Sequence, residues 1–348
     1  MAHEIHATDR FGEVRKNGQR AWHGLGMEIE EGLTAVDAFS NIGLNWRTVL
    51  APISAQLETM GENGPETVNV PLGGQNPPMA HLRADNHRLL GMVTKQYKPL
   101  ENIELAQFAD ALAGADAASA VETAGSLYNS RRVFCLIKLP GVIRATSEDV
   151  MESYVLLQNG HGGSSAFSCY PTAVRVVCAN TLRWSETDMA KGIRFQHTGD
   201  LDEKILQARS VLDIAIDERE RFQEKVTALV GKQLSASATS TLLHEIADKS
   251  FGRIPEERQV SSEVREKLIS KRVELIEAWE ANLANSRQNM AGIRGSAWAV
   301  LNAVTEWSDH DRGRYNDVTE SDGRVASNVF GASHRTKATA LRAALATV

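Results

Sequence analysis

The spacing of apolar residues along the chain changes near residue 200. Before that point, β-branched and aromatic residues form short runs separated by turn residues, a pattern typical of strands and hairpins. Beyond it, apolar residues recur at helical spacing within densely charged segments. The pattern predicts an α+β fold, in which an antiparallel sheet domain with β-hairpins and packed helices precedes a long helical arm or bundle.

The strongest strand pattern surrounds the short turn Tyr128-Asn129-Ser130. Ser119–Leu127 and Arg131–Leu139 flank this turn as a predicted β-hairpin, and Pro140-Gly141 is expected to end the second strand. Side chains alternate between the two faces of a strand, and in this strand both sets are apolar: Val133, Cys135 and Ile137 on one face, Phe134 and Leu136 on the other. We therefore expect the strand to lie centrally in the sheet with both faces covered. Further elements are predicted at Glu152–Gln158 (strand), Pro171–Cys178 (strand) and 179–189 (short helix or turn).

Weaker patterns precede the hairpin. Helices are expected at Ala35–Ile42, with Thr34 as N-cap, and at Asn102–Leu112, with Asn102 as N-cap. A strand is expected at Asn45–Ile53 and a second hairpin at His81–Thr94. Met60–Met79 is rich in Gly and Pro, so we expect a surface excursion with one short strand at Thr67–Val70.

The second half of the chain has a helical pattern. Helices are predicted at 201–230, Leu234–Asp248, Ser262–Met290, Gly295–Trp307 and Arg335–Leu345. Two of them are long and charged, and they offer more apolar surface than the short helix between them can cover. We therefore expect a homo-oligomer. The predicted domains are a sheet domain over 1–199, a helical arm or bundle over 200–293, and C-terminal helices over 294–348 that pack back on the sheet domain.

Composition and charge narrow the class of protein. The chain has 348 residues, of which 42% are hydrophobic and 24% charged, as in ordinary globular proteins. It contains no apolar run long enough for a membrane helix, and its first residues lack the pattern of a secretory signal. Three cysteines in a chain of this length favour a reducing compartment over a disulfide scaffold. We expect a cytoplasmic protein without a membrane partner.

Basic residues concentrate in two stretches, although the net charge is −6. Residues 131–144 contain four basic side chains and no acidic ones, and a second basic group lies in the fourth predicted strand and the segment after it. Such residues on one sheet, with aromatic rings nearby, are typical of a groove for a nucleic-acid backbone. The predicted nucleic-acid-binding residues are Tyr128, Arg131, Arg132, Lys138, Arg175, Arg183, Lys191 and Arg194, with Tyr170 and Trp184 as further stacking candidates. The alternative is that these are ordinary surface charges that protect edge strands.

Other candidate chemistry has weaker support in the sequence. His161, Cys169 and Cys178 are suitable zinc ligands by residue type, but their spacing matches no zinc motif, and buried free cysteines are common in cores. The loop 160–165 is rich in glycine but lacks the Gly-Lys-Ser/Thr ending of a nucleotide-binding loop. We predict no metal, no cofactor and no assigned catalytic residue.

Five segments carry a family resemblance. They are Ala21–Gly26 (AWHGLG), Gln96–Leu100 (QYKPL), Glu122–Leu127 (ETAGSL), Val174–Leu182 (VRVVCANTL) and Ala297–Trp307 (AWAVLNAVTEW). Together they resemble an uncharacterised phage/plasmid-like protein family, a domain of unknown function found on mobile genetic elements. The family usually has His-Asp-Gly-Ser where this chain has His161-Gly162-Gly163-Ser164. The resemblance implies a phage, prophage or plasmid setting and brings no established activity.

Two functions of different classes follow from these observations. The first is a single-stranded DNA-binding or strand-annealing protein that acts as an oligomer without nucleotide, because the predicted β-β-β-α order is similar to the core of single-strand annealing proteins. The second is a metal- or histidine-dependent enzyme for a small molecule that uses the His161 loop. A purely structural oligomer is a third interpretation. Whether the chain is an enzyme stays open, and the sequence favours a binding protein.

Overall fold

The computed structural model describes residues 11–16, 19–20, 27–61, 64–72, 77–114, 121–163, 167–175, 180–183, 193–195, 217–285, 287–311 and 332–348. Its strands are β1 (Phe11–Lys16), β2 (Gln19–Arg20), β3 (Met27–Ile29), β4 (Thr48–Pro52), β5 (Ser54–Gly61), β6 (Gly64–Pro71), β7 (Met79–Arg83), β8 (Leu89–Val93), β9 (Val121–Leu127), β10 (Arg132–Arg144), β11 (Val150–Gly160), β12 (Phe167–Arg175), β13 (Asn180–Arg183) and β14 (Ile193–Phe195). Its helices are α1 (Ala35–Asn41), α2 (Asn102–Ala113), α3 (217–231), α4 (Ala236–Phe251), α5 (Ser262–Leu283), α6 (Ala297–Glu306) and α7 (Ala332–Leu345). The α+β class predicted from the sequence is confirmed.

The main sheet is built on the predicted hairpin. Its strands follow the order β13-β12-β11-β10-β9-β1-β2, while β14 also pairs with β12 and β3 with β1. Neighbours along this path pair antiparallel, and β10 lies between β9 and β11 as expected. Phe134 and Leu136 face one way, and Val133, Cys135 and Ile137 face the other. All five are buried, so both faces of this strand are covered.

Two strand predictions in the main sheet were wrong. Pro140-Gly141 does not end β10, because the register shifts between Lys138 and Val142 and pairing with β11 then resumes. Proline and a left-handed glycine fit at such an irregularity, where a ladder bond is already missing. Residues 180–183 form the edge strand β13 on β12 instead of a helix or turn. The remainder of the predicted segment, 184–189, lies outside the described residues.

A smaller antiparallel sheet has the order β4-β7-β8, and β5 and β6 form a separate two-stranded hairpin. The β7–β8 hairpin confirms the prediction for 81–94. In the segment 60–79, expected to be mostly loop, the short strand predicted at Thr67–Val70 is part of the longer β6, which pairs with β5 from Ser54↔Pro71 to Gly61↔Gly64. The glycines and prolines of 61–78 indicated a loop, and the alternation of apolar and polar residues in Ser54–Met60, just before them, was not assigned to a strand. We call residues 54–61 and 64–71 the β-arm.

Helices α1 and α2 cover one face of the main sheet. Thr34 caps α1 as predicted, since its side chain accepts from the Asp37 amide at 3.1 Å. The N-cap of α2 is Glu101, not Asn102. Asn102 is instead buried, and its Nδ2 donates to the Leu44 carbonyl at 2.8 Å. The resulting core contains Phe39, Leu44, Leu105, Phe108, Cys135, Val155, Leu157 and Cys169.

The later helices form a second core. It contains Phe222, Val226, Leu243, Trp279, Trp298, Leu301 and Leu341, together with Ile143 and Met151 from the main sheet. Trp298 Nε1 donates to Asp149 Oδ2 at 2.9 Å, which ties α6 to the β10–β11 turn. The helix predicted at 262–290 ends at Leu283, and residues 201–216 lie outside the described part of the chain. Within the described ranges, no helix has the length and apolar character needed to cross a bilayer.

Candidate nucleic-acid interface at the hairpin turn

The turn between β9 and β10 has an unusual backbone. Tyr128, Asn129 and Ser130 all have positive φ, at 58°, 60° and 67°. Left-handed backbone costs non-glycine residues energy, so the surrounding structure must hold this turn in place. Two arginines from the β7–β8 hairpin do so. Arg83 Nη1 donates to Ser130 Oγ at 2.9 Å, and Arg88 Nη1 donates to Asn129 Oδ1 at 2.7 Å.

The same turn presents basic and aromatic side chains. Arg131 is exposed, and the Arg132 guanidinium lies 5.3 Å from the centre of the Tyr128 ring. Such a cation–π contact holds the guanidinium and the ring in a fixed relation. We call Arg88, Tyr128, Asn129, Arg131 and Arg132 the turn surface. It combines donors suited to phosphate with a ring suited to stacking on a base.

Asp85 is an acidic residue of the hairpin that supports the turn surface. Asp85 binds the Arg83 guanidinium with two hydrogen bonds, of 3.0 and 2.6 Å. The bond to Arg83 lowers the pKa of the Asp85 carboxyl, so this group stays ionised. Arg83 in turn lies over the Trp46 ring, 4.5 Å from its centre. Asp85 therefore balances the charge of the buried Arg83, and the turn surface itself carries the exposed Arg131.

The other predicted binding residues are spread over the sheet. Lys138 lies six residues along β10 from Arg132 and forms an ion pair with Glu152. Arg183 pairs with Thr172, in the same cross-strand row as Lys138. Arg194 pairs with Ser168 in the half of the sheet nearer the turn.

Arg175 lies farthest from the turn. It pairs with Met151, nine residues along β11 from Gly160, which is about 30 Å at the rise of a strand. The side chains of Arg175, Arg183, Arg194 and Tyr170, and all of Trp184 and Lys191, lie outside the described part of the structure. The structure thus brings Tyr128, Arg131 and Arg132 together and separates Lys138 and Arg175 from them.

Sequence reasoning missed two residues of this site, Arg83 and Arg88. Both belong to a hairpin that the sequence does predict, around Asp85-Asn86. Nothing in the spacing of residues shows that this hairpin packs on a turn more than 40 residues later. The available signal was the pair of arginines on either side of a polar turn.

A buried polar cluster supports the turn from below. The His161 amide donates to the Arg131 carbonyl at 2.7 Å, and His161 Nε2 lies 2.8 Å from Asn102 Oδ1. Because the Asn102 amide nitrogen donates elsewhere, His161 Nε2 is the donor in this contact. The His161 ring also contacts Trp46 at 5.0 Å between centres, and it is fully buried. His161 thus links the start of α2 to the turn.

His81 is the second histidine of this cluster. Its Nδ1 lies 2.7 Å from the His161 carbonyl, which can only accept, so His81 carries its proton on Nδ1. Burial lowers the pKa of His81, and the hydrogen bond to the carbonyl only partly opposes this effect. The ring is therefore neutral at pH 7. Among the described residues, the buried Nε2 of His81 and Nε1 of Trp46 have no hydrogen-bond partner.

Two of the three cysteines lie within the described residues. Cys135 and Cys169 are buried in the core between the main sheet and α2, where burial raises the pKa of both thiols. Cys178 lies outside the described residues. In the described ranges, no three His, Cys, Asp or Glu side chains are grouped to hold a metal ion.

Comparison with protein families identifies the chain. A family model described as Domain of unknown function (DUF932) matches residues 89–342. The chain belongs to this family, as its sequence segments predicted. The match includes the hairpin turn, His161 and the later helices, whereas α1 and the β-arm precede it. Neither the curated proteins nor the solved structures gave a significant match.

Proposed function

We propose that this protein binds single-stranded DNA through the turn surface and acts as a homo-oligomer that holds or anneals strands without nucleotide. The observation that carries the proposal is the arrangement of Arg131, Arg132 and Tyr128 on one rigid turn. Guanidinium groups bind phosphate oxygens, and an aromatic ring beside them stacks on any base. Such a site reads the backbone and the π-face of a base, so it binds without sequence preference.

The rigidity of the turn supports this proposal. Two of the three left-handed residues, Asn129 and Ser130, accept hydrogen bonds from Arg88 and Arg83, and the His161 amide donates to the Arg131 carbonyl. A site fixed in advance loses less conformational entropy when it binds a ligand. The buried His161 ring is part of this support. That position favours a structural role over the alternative in which His161 acts on a small-molecule substrate.

The charge distribution supports the oligomer. With a net charge of −6, each chain attracts DNA only where basic residues gather. A turn surface with a few basic side chains contacts few phosphates, so a single copy binds weakly. Several copies on one strand raise the effective concentration of each site for the next stretch of strand.

The test is fluorescence anisotropy of a labelled single-stranded oligonucleotide over a salt series, with the assembled protein. The double variant Arg131→Ala/Arg132→Ala removes about two phosphate contacts. We expect the slope of log affinity against log salt to fall by about 1.4, at roughly 0.7 per contact on a single strand.

A matched control removes the same charge elsewhere. Arg253→Ala/Arg258→Ala changes two exposed arginines in the α4–α5 connection, and we expect wild-type binding and slope. Equal losses in the two double variants would mean that overall charge, not the turn surface, governs binding. No binding by wild-type protein at low salt would overturn the proposal.

A further inference from the structure

The small sheet β4-β7-β8 carries only apolar residues on the side away from the protein body. Cross-strand pairs Val49↔Leu82, Ala51↔Ala80, Ala80↔Met92 and Leu82↔Leu89 place six residues on one face. We call this the outer face: Val49, Ala51, Ala80, Leu82, Leu89 and Met92. None of the six is buried, and Met92 is 67% exposed. The opposite face carries the buried His81 and Arg83.

An outer face made only of apolar residues is unusual on a protein surface. Polar residues normally occupy the solvent side of an antiparallel sheet, which gives the alternation seen in most strands. A contiguous apolar patch that remains exposed usually marks a surface that another molecule covers. The outer face therefore indicates a contact.

The β-arm carries a second exposed apolar face. Its pairs Ala55↔Val70 and Leu57↔Val68 lie next to each other on one side, and Leu57 is 48% exposed. The arm belongs to neither larger sheet. A two-stranded hairpin alone is only marginally stable in water, so an arm of eight residues per strand gains from being packed against something.

The two faces complement each other in charge. The β-arm segment 54–71 contains three glutamates and no basic residue. The strands of the small sheet and their flanks, 45–52 and 77–98, contain five arginines and lysines and one aspartate; the buried Arg83 pairs with this aspartate, and Arg47, Lys95 and Lys98 are exposed. Opposite charges around two apolar faces favour their association and fix its register.

We propose that these faces bind each other between two copies of this chain, with the β-arm of one copy lying on the outer face of the next. Sheets that pack face to face lie about 10 Å apart and interleave side chains such as Leu57 and Met92. A contact between two different surfaces is heterologous, so it builds a ring or a filament rather than a closed pair. This inference deepens the proposed function by naming the contact that builds its oligomer.

The first experiment measures the mass of the full-length protein by light scattering in a buffer free of nucleic acid. Wild-type protein should give a multiple of 38.0 kDa. Leu57→Asp on the arm and Met92→Asp on the outer face should each shift the mass towards the single chain. Circular dichroism checks that both variants remain folded.

The β-arm offers a matched control. Met60 lies on its opposite side and is 81% exposed, so Met60→Asp adds the same charge without touching the proposed contact. We expect it to keep the wild-type mass. A mass of 38.0 kDa for the wild type at every concentration would overturn the proposal, as would a wild-type mass for Leu57→Asp. Dissociation by Met60→Asp equal to that by Leu57→Asp would also contradict it.

A second experiment tests which faces meet. Single variants Leu57→Cys and Met92→Cys are prepared in a Cys178→Ser background and then mixed under mild oxidation. Disulfide-linked dimers should form in the mixture and not in either variant alone. Dimers of Leu57→Cys alone would show that arms meet arms, and the assignment of arm to outer face would be wrong.

The oligomer and the DNA site can fail separately. Arg131→Ala/Arg132→Ala should keep the wild-type mass while losing DNA affinity. Leu57→Asp should lower the mass of the assembly towards that of one chain, while each chain keeps the weak DNA affinity of its turn surface. Loss of mass with unchanged DNA affinity at every concentration would refute the oligomeric part of the proposed function and leave DNA binding intact.

Discussion

The central strand β10 and the small sheet β4-β7-β8 use similar residues in opposite ways. In β10, apolar side chains on both faces are buried, Phe134 on one side and Cys135 on the other. In the small sheet, a histidine and an arginine are buried, while Leu89 and Met92 are exposed. Hydrophobic burial depends on what an element packs against, so a strand pattern alone does not identify the buried side. The inner side of the small sheet buries Leu90 and Val93 together with His81 and Arg83, and Arg83 holds the hairpin turn through Ser130.

The largest effect is expected at the centre of the main sheet. Phe134 is 1% exposed, and Phe134→Ala should lower the free energy of unfolding by about 3–5 kcal/mol, because it removes buried surface and leaves a cavity. Val142→Ala is the control on the same strand, where the side chain is 38% exposed and the loss should stay below about 1 kcal/mol. Chemical denaturation measures both. A loss below about 1 kcal/mol for Phe134→Ala would mean that the strand is not central.

Local patterns explain why this part of the fold was predictable. The run from Arg131 to Leu139 is strongly β-forming, and the turn before it joins neighbouring strands. Its two apolar faces indicate a central strand without any knowledge of distant residues. The same local reasoning failed at Pro140-Gly141, since an irregularity in pairing is a property of two strands together.

The candidate site was less predictable because it joins distant segments. The turn surface depends on Arg88, which belongs to the β7–β8 hairpin, and on support from His161 and Asn102. Charge counting along the chain grouped Arg131 with Lys138, but Glu152 on the neighbouring strand pairs with that lysine. The sequence also did not show which face of the small sheet is buried, because its pattern is compatible with burial of either face.

An intermediate effect is expected where the small sheet meets the His161 loop. A Cβ atom added at Gly91 would lie 2.5 Å from the Gly162 carbonyl oxygen, so backbone must move to admit it. Gly91→Ala should therefore cost about 1–3 kcal/mol of stability, in the range of other overpacking changes. Gly231→Ala is the control, because an added Cβ there meets nothing within 4 Å. Equal stability of the two variants in denaturant would show that the inner side of the small sheet is loosely packed.

The smallest effect is expected from the pH dependence of the buried histidine cluster. Burial lowers the pKa of His81 below the ordinary histidine value of 6.5, while its ring contacts His161 and Tyr97. Burial and the nearby Glu101 raise the pKa of Tyr97 to about 12, so that ring stays neutral. In the unfolded chain His81 takes up a proton below about pH 6.5, whereas in the folded chain it stays neutral to lower pH. The unfolded state is thus favoured as pH falls.

Stability linked to His81 is accordingly complete above about pH 6.5 and is lost as pH falls towards the folded-state pKa. Because a single proton is involved, the free energy of unfolding can fall by at most about 1.4 kcal/mol between pH 6.5 and pH 5.5. His81→Phe should reduce this acid sensitivity in denaturation curves measured from pH 7.5 to 5.5, even if it lowers stability at every pH. His87→Phe replaces an exposed histidine of the same hairpin and should keep the wild-type slope. If His81→Phe also kept that slope, the buried face of the small sheet would be no more sensitive to protons than the exposed one, and the contrast between the two faces would be one of packing alone.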